Sequence, residues 1–376
     1  MRIIMSLALV LCVFTAVHMY IGARLVSLQV LPRSAAFPIL AGLAVAMLGA
    51  LFLARTGSGA LPVRAVVWVG YSWMGMVLLL LIACLAGDLI SLTFWVGQKL
   101  SFPIQPNTSL RISQFLLGAG ALAGVWAMVQ AMRSPEVHEV EVRVPNLPRS
   151  FEGYRLAHIT DTHLSVLLRR AWSLNLVASV NAAHPDLVVH TGDIADGPVA
   201  ALGPSIEPFA HLEAPRLFVT GNHEAYSGLG EWSMEMQRLG FTLLNNSHTV
   251  IERGGEKLVI GGIPDHNQAN HIPTDLIDAR KTFAGAPEGP RILLAHQPRS
   301  AFLVQGQSIS LQLSGHTHGG QIWPFHYLVR LQQPMNAGFA TVGDVPVFTS
   351  RGAGFWGPPL RLFARSEVPI LVLRRG

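Results

Sequence analysis

Residues 155–163 read Arg155-Leu156-Ala157-His158-Ile159-Thr160-Asp161-Thr162-His163, an apolar run of strand length that stops on an aspartate and a histidine. Short β-prone runs that end in small or polar residues read as buried strands closing in turns. The same grammar recurs downstream. Residues 186–190 lead to Gly192-Asp193, 216–220 to Gly221-Asn222-His223-Glu224, 291–295 to His296, and 310–313 to Gly315-His316-Thr317-His318. Helical stretches at 169–183 and 231–239 alternate with these strands, which predicts an α/β sheet. Asp161, Asp193, Asn222, His296 and His316 all fall at or just past the C-terminal end of a strand, where ligand sites of open α/β sheets collect.

Further strands are expected at 345–349 and 368–373, with a hairpin of 249–253 and 257–260 around Gly254-Gly255. Upstream, a polar stretch with Pro135, Pro145 and Pro148 marks a linker, and the alternation in Val140-Glu141-Val142-Arg143-Val144 places a first strand inside it. The organisation expected is therefore a transmembrane region over 1–134, a linker with first strand over 135–150, and a globular domain over 151–376.

The chemistry of the turns is specific. Asp161 and His163 are two apart, so if extended geometry persists past the strand both side chains point to one side and grip one cation. Asp193 supplies a carboxylate able to bridge two cations, with Gly192 allowing close backbone approach. Asn222 offers a neutral oxygen where negative charge must stay low, and His316 and His318 are spaced so that each reaches a different cation. His296 completes the ligand set of the second cation. His223 is left to face substrate, donating a proton to a leaving oxygen or stabilising phosphoryl charge. Asp196 reads either as a helix N-cap or as the partner that orients His223, and Glu224 as a local structural acid. Nitrogen and oxygen ligation without thiolate suits a pair of divalent Mn, Fe or Zn ions. His266 and His271, in a polar loop after Gly261-Gly262, read as structural or surface residues, with reach to substrate as the lesser alternative.

Composition divides the chain in two. Half of its 376 residues are hydrophobic, 13% are charged and the mean hydropathy is +0.40, too apolar for an ordinary soluble enzyme. The excess sits in four runs, near 3–21, 35–54, 66–86 and 114–132, each long enough for a bilayer core that takes roughly 20 helical residues. Asp88 reads either as an intramembrane functional carboxylate or, as the plainer expectation, as the interface where the third span ends. Up to Glu136 there are eight Lys/Arg against two acids, and beyond it 19 against 20, so the globular part has no basic footprint for nucleic acid. Basic residues on the side of the termini (Arg2, Arg55, Arg64, Arg133) weigh slightly toward a cytoplasmic domain on a multi-pass cell-membrane protein. Cys12 and Cys84 fall inside spans, leaving no cysteine for a metal site.

The ordered motifs resemble those of the calcineurin-like metallophosphoesterase superfamily over about residues 150–374. The run from Gly315 through Gln321, Ile322 and Trp323, with Arg351-Gly352-Ala353-Gly354 and the closing strand, is similar to its bacterial membrane-associated phosphodiesterase branch. The resemblance implies a four-layer αββα sandwich behind a bundle of about four transmembrane helices. It also implies that Asp161, His163, Asp193 and His318 bind one metal and that Asp193, Asn222, His296 and His316 bind the second. His223 would be catalytic and Asp196 its orienter. The expected substrate is a phosphodiester or related ester, with a lipid-linked one suggested by the anchor. The competing expectation is a transporter or receptor regulated by such a domain, disfavoured by scarcity of intramembrane charge, for which Asp88 and His18 are the candidates. Trp323, Phe325, Phe355, Trp356 and Leu360 either form an apolar rim facing the bilayer or, as the plainer expectation, pack locally.

Overall fold

The computed structural model describes residues 2–265 and 278–376, so His266 and His271 lie outside the described residues. The chain forms two compact units: Met1–Leu53, Ala65–Val129 and Gly357–Leu360 make one, and Ala54–Arg64, Gln130–Trp356 and Arg361–Gly376 the other.

The first unit holds α1 (Arg2–Ser27), α2 (Arg33–Leu53), α3 (Leu61–Lys99) and most of α4 (Thr108–Met132), four helices long and apolar enough to cross a membrane. Ile21, Leu40, Trp73, Leu80 and Leu117 pack together among them. The third helix, 39 residues in all, runs on through Asp88, so the helix itself continues past the residue read as the end of the span. Two causes are visible. No proline interrupts the apolar stretch before Pro103, and the Asp88 carboxylate is matched locally by Arg24 Nη2 at 2.8 Å and by the Tyr20 hydroxyl, which donates to it at 2.6 Å. A paired carboxylate does not force a helix to end where it stands.

The second unit begins with β1 (Glu136–Val144) and continues through β2 (Arg155–Ile159), α5 (Arg170–Ala182), β3 (Leu187–His190), α6 (Val199–Ile206), β4 (Arg216–Phe218), α7 (Asn222–Ser227), α8 (Leu229–Arg238) and β5 (Thr242–Leu243). A second run follows: β6 (Ser247–Arg253), β7 (Glu256–Gly262), α9 (Ala279–Thr282), β8 (Arg291–Leu294), β9 (Leu311–Ser314), α10 (His326–Val329), β10 (Gly338–Val342), β11 (Val345–Thr349) and β12 (Glu367–Arg375). These strands form two mixed six-stranded sheets, ordered β1-β12-β2-β3-β4-β5 and β10-β11-β9-β8-β7-β6.

Leu156, Val189 and Leu217 of the first sheet meet Ile260, Leu294 and Leu313 of the second in one apolar layer between them. On the outer face of the first sheet α5 buries Ser173, Leu176, Val177 and Val180, the i, i+3, i+4, i+7 stripe of an amphipathic helix, and α8 buries Trp232 and Met236 one turn apart. The outer layer on the second sheet is thinner, built from α9 and a 3-10 turn at Pro298–Leu303 that bury Phe283, Ala301 and Val304. The layering is the α/β arrangement expected. Strands β2 to β4 run parallel and are buried on both faces, which is why they read as unbroken apolar runs.

Candidate metal centre

The ligand-type residues converge at the C-terminal ends of the central strands. Asp161 and His163 follow β2, Asp193 follows β3, Asn222 opens α7 after β4, His296 follows β8, and His316 and His318 follow β9. Their backbone does not stay extended. Asp161 (φ 52°), His163 (φ 42°), Asp193 (φ 57°), His316 (φ 69°) and His318 (φ 50°) all take the left-handed conformation that residues other than glycine rarely adopt. The expectation that strand geometry carries Asp161 and His163 to one side is thus replaced by a left-handed turn that brings them together. Bonds across the turns hold it: Asp161 N donates to Gly192 O at 3.0 Å, His163 N to Asp193 O at 3.1 Å, and His316 N to both Asp161 carboxylate oxygens at 3.0 Å. Gly192 and Gly315 permit this crowding. A Cβ on the first would sit 2.3 Å from Gly221 N, and on the second 2.1 Å from Asp161 Oδ2.

Two clusters result. In one, His318 Nε2 lies 3.5 Å from Asp161 Oδ1 and 3.0 Å from His163 Nε2. In the other, His296 Nε2 lies 3.1 Å from Asp193 Oδ2, 3.2 Å from Asn222 Oδ1 and 3.1 Å from His316 Nδ1. Asp193 Oδ2 reaches toward both, standing 3.7 Å from His163 Nε2 as well. The sets Asp161, His163, His318 and Asp193, His296, His316 each gather their donor atoms within 4.8 Å.

The donor chemistry fits cations. His296 Nδ1 donates to Thr191 O at 2.8 Å, so a neutral ring presents a bare Nε2 to the Asp193, Asn222 and His316 lone pairs. Lone pairs crowded this closely need a positive centre among them. Without a metal, a proton serves. Burial disfavours charge on His296, but Asp193 and Asp161 overcome it and hold the ring well above the ordinary histidine range. His163 likewise donates Nδ1–H to Asp196 Oδ1 at 2.8 Å, leaving Nε2 free to ligate. His318 is held well below its ordinary value by burial, with His163 and Arg361 adding to the effect, and so stays unprotonated as a ligand must.

Metal therefore competes with a proton at His296. Titrating Mn²⁺ into the full chain in buffers of different ionisation enthalpy is expected to release protons near neutral pH, with apparent affinity rising as pH rises. Affinity flat with pH, with no proton released, would remove His296 from the ligand set.

His223 is placed differently. Its Nδ1 donates to Asp196 Oδ1 at 2.7 Å and its Nε2 stands 3.9 Å from Asp193 Oδ2. Burial lowers its proton affinity, but Asp193, Asp196 and Glu224 more than offset that and raise it to about 9, so the ring is an imidazolium at neutral pH. Asp196 thus holds two rings at once, and α6 begins beyond it, after Pro198. The buried Glu224 carboxylate accepts from Gly221 N at 2.6 Å, Asp193 N at 3.0 Å and Ile194 N at 2.6 Å, fastening two ligand turns to each other.

Arg361 escaped the sequence reading. It is fully buried, and its guanidinium donates to Gly354 O at 3.0 Å and Ala364 O at 2.9 Å while standing beside His318. Its one sequence signal is a lone cation inside the apolar run Leu360–Phe363. The aromatic group divides: Phe355 is buried beneath the turns, while Trp323, Phe325 and Trp356 are exposed. Trp356 and Tyr226 flank His223, with ring centroids 6.1 and 5.4 Å away.

Comparison with known proteins agrees with this architecture. The calcineurin-like phosphoesterase family matches residues 154–320. A transmembrane protein with metallophosphoesterase domain from Danio rerio is 37% identical over 280 residues, covering 71% of this chain and 64% of that protein. A metallophosphoesterase of Helicobacter pylori is 32% identical over 70% of each chain, and YkuE of Bacillus subtilis, also a metallophosphoesterase, is 30% identical over 69% of this chain and 93% of its own. The chain belongs to the calcineurin-like metallophosphoesterase family. It spans about two thirds or less of the length of the first of these relatives.

Proposed function

We propose that this chain is a membrane-anchored phosphodiesterase using two divalent metal ions, with Asp161, His163, Asp193 and His318 holding one and Asp193, Asn222, His296 and His316 the other. The observation that carries the reading is the position of Asp193 Oδ2, within 3.1–3.9 Å of ring nitrogens of His296, His163 and His223. That oxygen faces both clusters and the proton donor together. A pair of dications bound there would polarise the phosphoryl oxygens and make water acidic enough to attack at neutral pH.

The chain's own residues supply the rest. His223, charged and aimed by Asp196, donates its Nε2 proton to the departing ester oxygen. Asn222 contributes a ligand oxygen without adding negative charge that would repel a phosphate. Trp356 and Tyr226 give the organic group of an ester an apolar wall beside His223, which supports a diester over a monoester. Spanning helices raise the local concentration of membrane-borne substrates, which supports a lipid-linked ester.

The test is hydrolysis by the full-length purified chain with Mn²⁺ of bis(p-nitrophenyl) phosphate against p-nitrophenyl phosphate. The diester is expected to have the higher kcat/KM. A preference for the monoester would make the protein a phosphatase, and turnover of neither, with two metals bound, would sink the hydrolase reading for these ester classes.

A further inference from the structure

Strand directions decide which end of the domain the metal cluster occupies. β1 and β12 run parallel, and β2 runs antiparallel to β12. The C-terminal end of β2, where Asp161 stands, therefore lies at the end of the sheet where β1 and β12 begin. β1 begins at Glu136, with three residues between it and the end of α4 at Met132. So short a connection, four Cα steps, reaches at most about 14 Å. The ligand cluster is thus at the tethered end of the domain.

The same end carries an exposed apolar ridge. Two segments are joined by the bridge Ile322↔Leu362, with Trp323 N donating to Leu362 O at 3.2 Å, and they present Trp323, Tyr327, Leu328, Leu331, Trp356 and Phe363 to the outside. Phe363 and Leu331 are 83% and 81% exposed, more than scattered surface apolar residues require. The ridge abuts the tether. Arg365, two residues beyond Phe363, pairs with Glu136 at 2.7 Å, and Glu136 N donates to Ser366 O at 3.0 Å.

Charge fits one occupant. Between Gly289 and Ser366 the only acid in the sequence is Asp344; Arg330 and Arg365 are both exposed, Arg365 being paired with Glu136 and Arg330 carrying the charge of the ridge. Tryptophan and tyrosine at the rim of an apolar patch with flanking arginine are the composition of a surface seated among lipid headgroups, and arginine favours anionic ones. A water-soluble protein partner would not require the patch to adjoin the strand that carries the tether.

We propose that this ridge seats in the anionic headgroup layer of the membrane crossed by the chain's own helices, so that the metal-ligand end of the domain opens at the lipid–water boundary. The inference is independent of whether the cluster turns over a phosphate ester. It is tested on the full chain carrying Cys12→Ser and Cys84→Ser, reconstituted in nanodiscs of phosphatidylglycerol and phosphatidylcholine. Nitroxide labels are placed singly at Phe363→Cys, at Leu331→Cys and, for comparison, at Glu252→Cys on the exposed β6–β7 hairpin. At 363 and 331, collision with oxygen relative to a polar nickel chelate is expected to be several-fold higher than at 252. Equal ratios at all three sites would put the ridge in water and overturn the proposal. Shielding of 363 and 331 from both reagents would place protein there in place of lipid and overturn it equally.

Discussion

Replacing His223 with alanine is expected to cut hydrolysis by about a hundred- to ten-thousand-fold while two metals stay bound per chain, the range for loss of a positioned proton donor. His223 meets the ligand clusters through Asp196 at 2.7 Å, through Asp193 at 3.9 Å and through an edge-to-face contact with the His163 ring, centroids 4.6 Å apart. Its side chain can be removed without taking away a metal donor. Because carboxylates raise its affinity for a proton to about 9, the donor is loaded throughout the neutral range and is lost as pH rises through that value. The wild-type rate should therefore fall on the alkaline side and the His223→Ala rate should not. Metal analysis beside steady-state kinetics separates the roles: a variant that has shed a metal would put His223 among the ligands, and one with wild-type kcat would remove it from the reaction.

A larger collapse is expected from Asp193→Asn, through metal occupancy. One oxygen of this buried carboxylate faces imidazoles of both clusters, and the other accepts from His223 N at 2.8 Å. Burial pushes the Asp193 carboxyl toward protonation, but His296 and His223 more than reverse this and hold it well below the usual carboxylate range. The neutral amide keeps the shape and removes the shared charge. Groups that merely orient a ligand are worth about 10–100-fold in metal affinity, so a shared ligand should cost more than about a hundredfold. Elemental analysis after gel filtration should find fewer than two metals per chain and no measurable turnover. Two tightly bound metals in this variant would show that Asp193 is not shared between them.

The strands and the ligand types were legible because each depends on local rules. An apolar run such as Leu187–His190 has few alternatives to a buried strand, and aspartate, asparagine and histidine clustered at its end have few structural uses. What failed to show was set by tertiary contact. The α6 helix carries Gly203 and Pro204, which read as breakers, yet it forms because Leu202 and Ile206 bury against the first sheet. The turn at Asp161 to His163 contains no glycine to announce positive φ, since the bonds that impose it come from Gly192 and Asp193, some thirty residues on in the chain. Phe355 and Trp356 are neighbours with the same hydrophobic character. Only the fold decides that the first is buried under the ligand turns and the second stands beside His223.

The left-handed turns set stability against the proposed chemistry. Five non-glycine residues proposed as ligands, Asp161, His163, Asp193, His316 and His318, hold a backbone shape that is disfavoured by about 1–2 kcal/mol each for residues with a Cβ. Glycine at any of them would relax the chain and erase a donor in the same step. Loss of the proposed metal site by such substitutions is thus expected to leave a sturdier domain rather than an unfolded one.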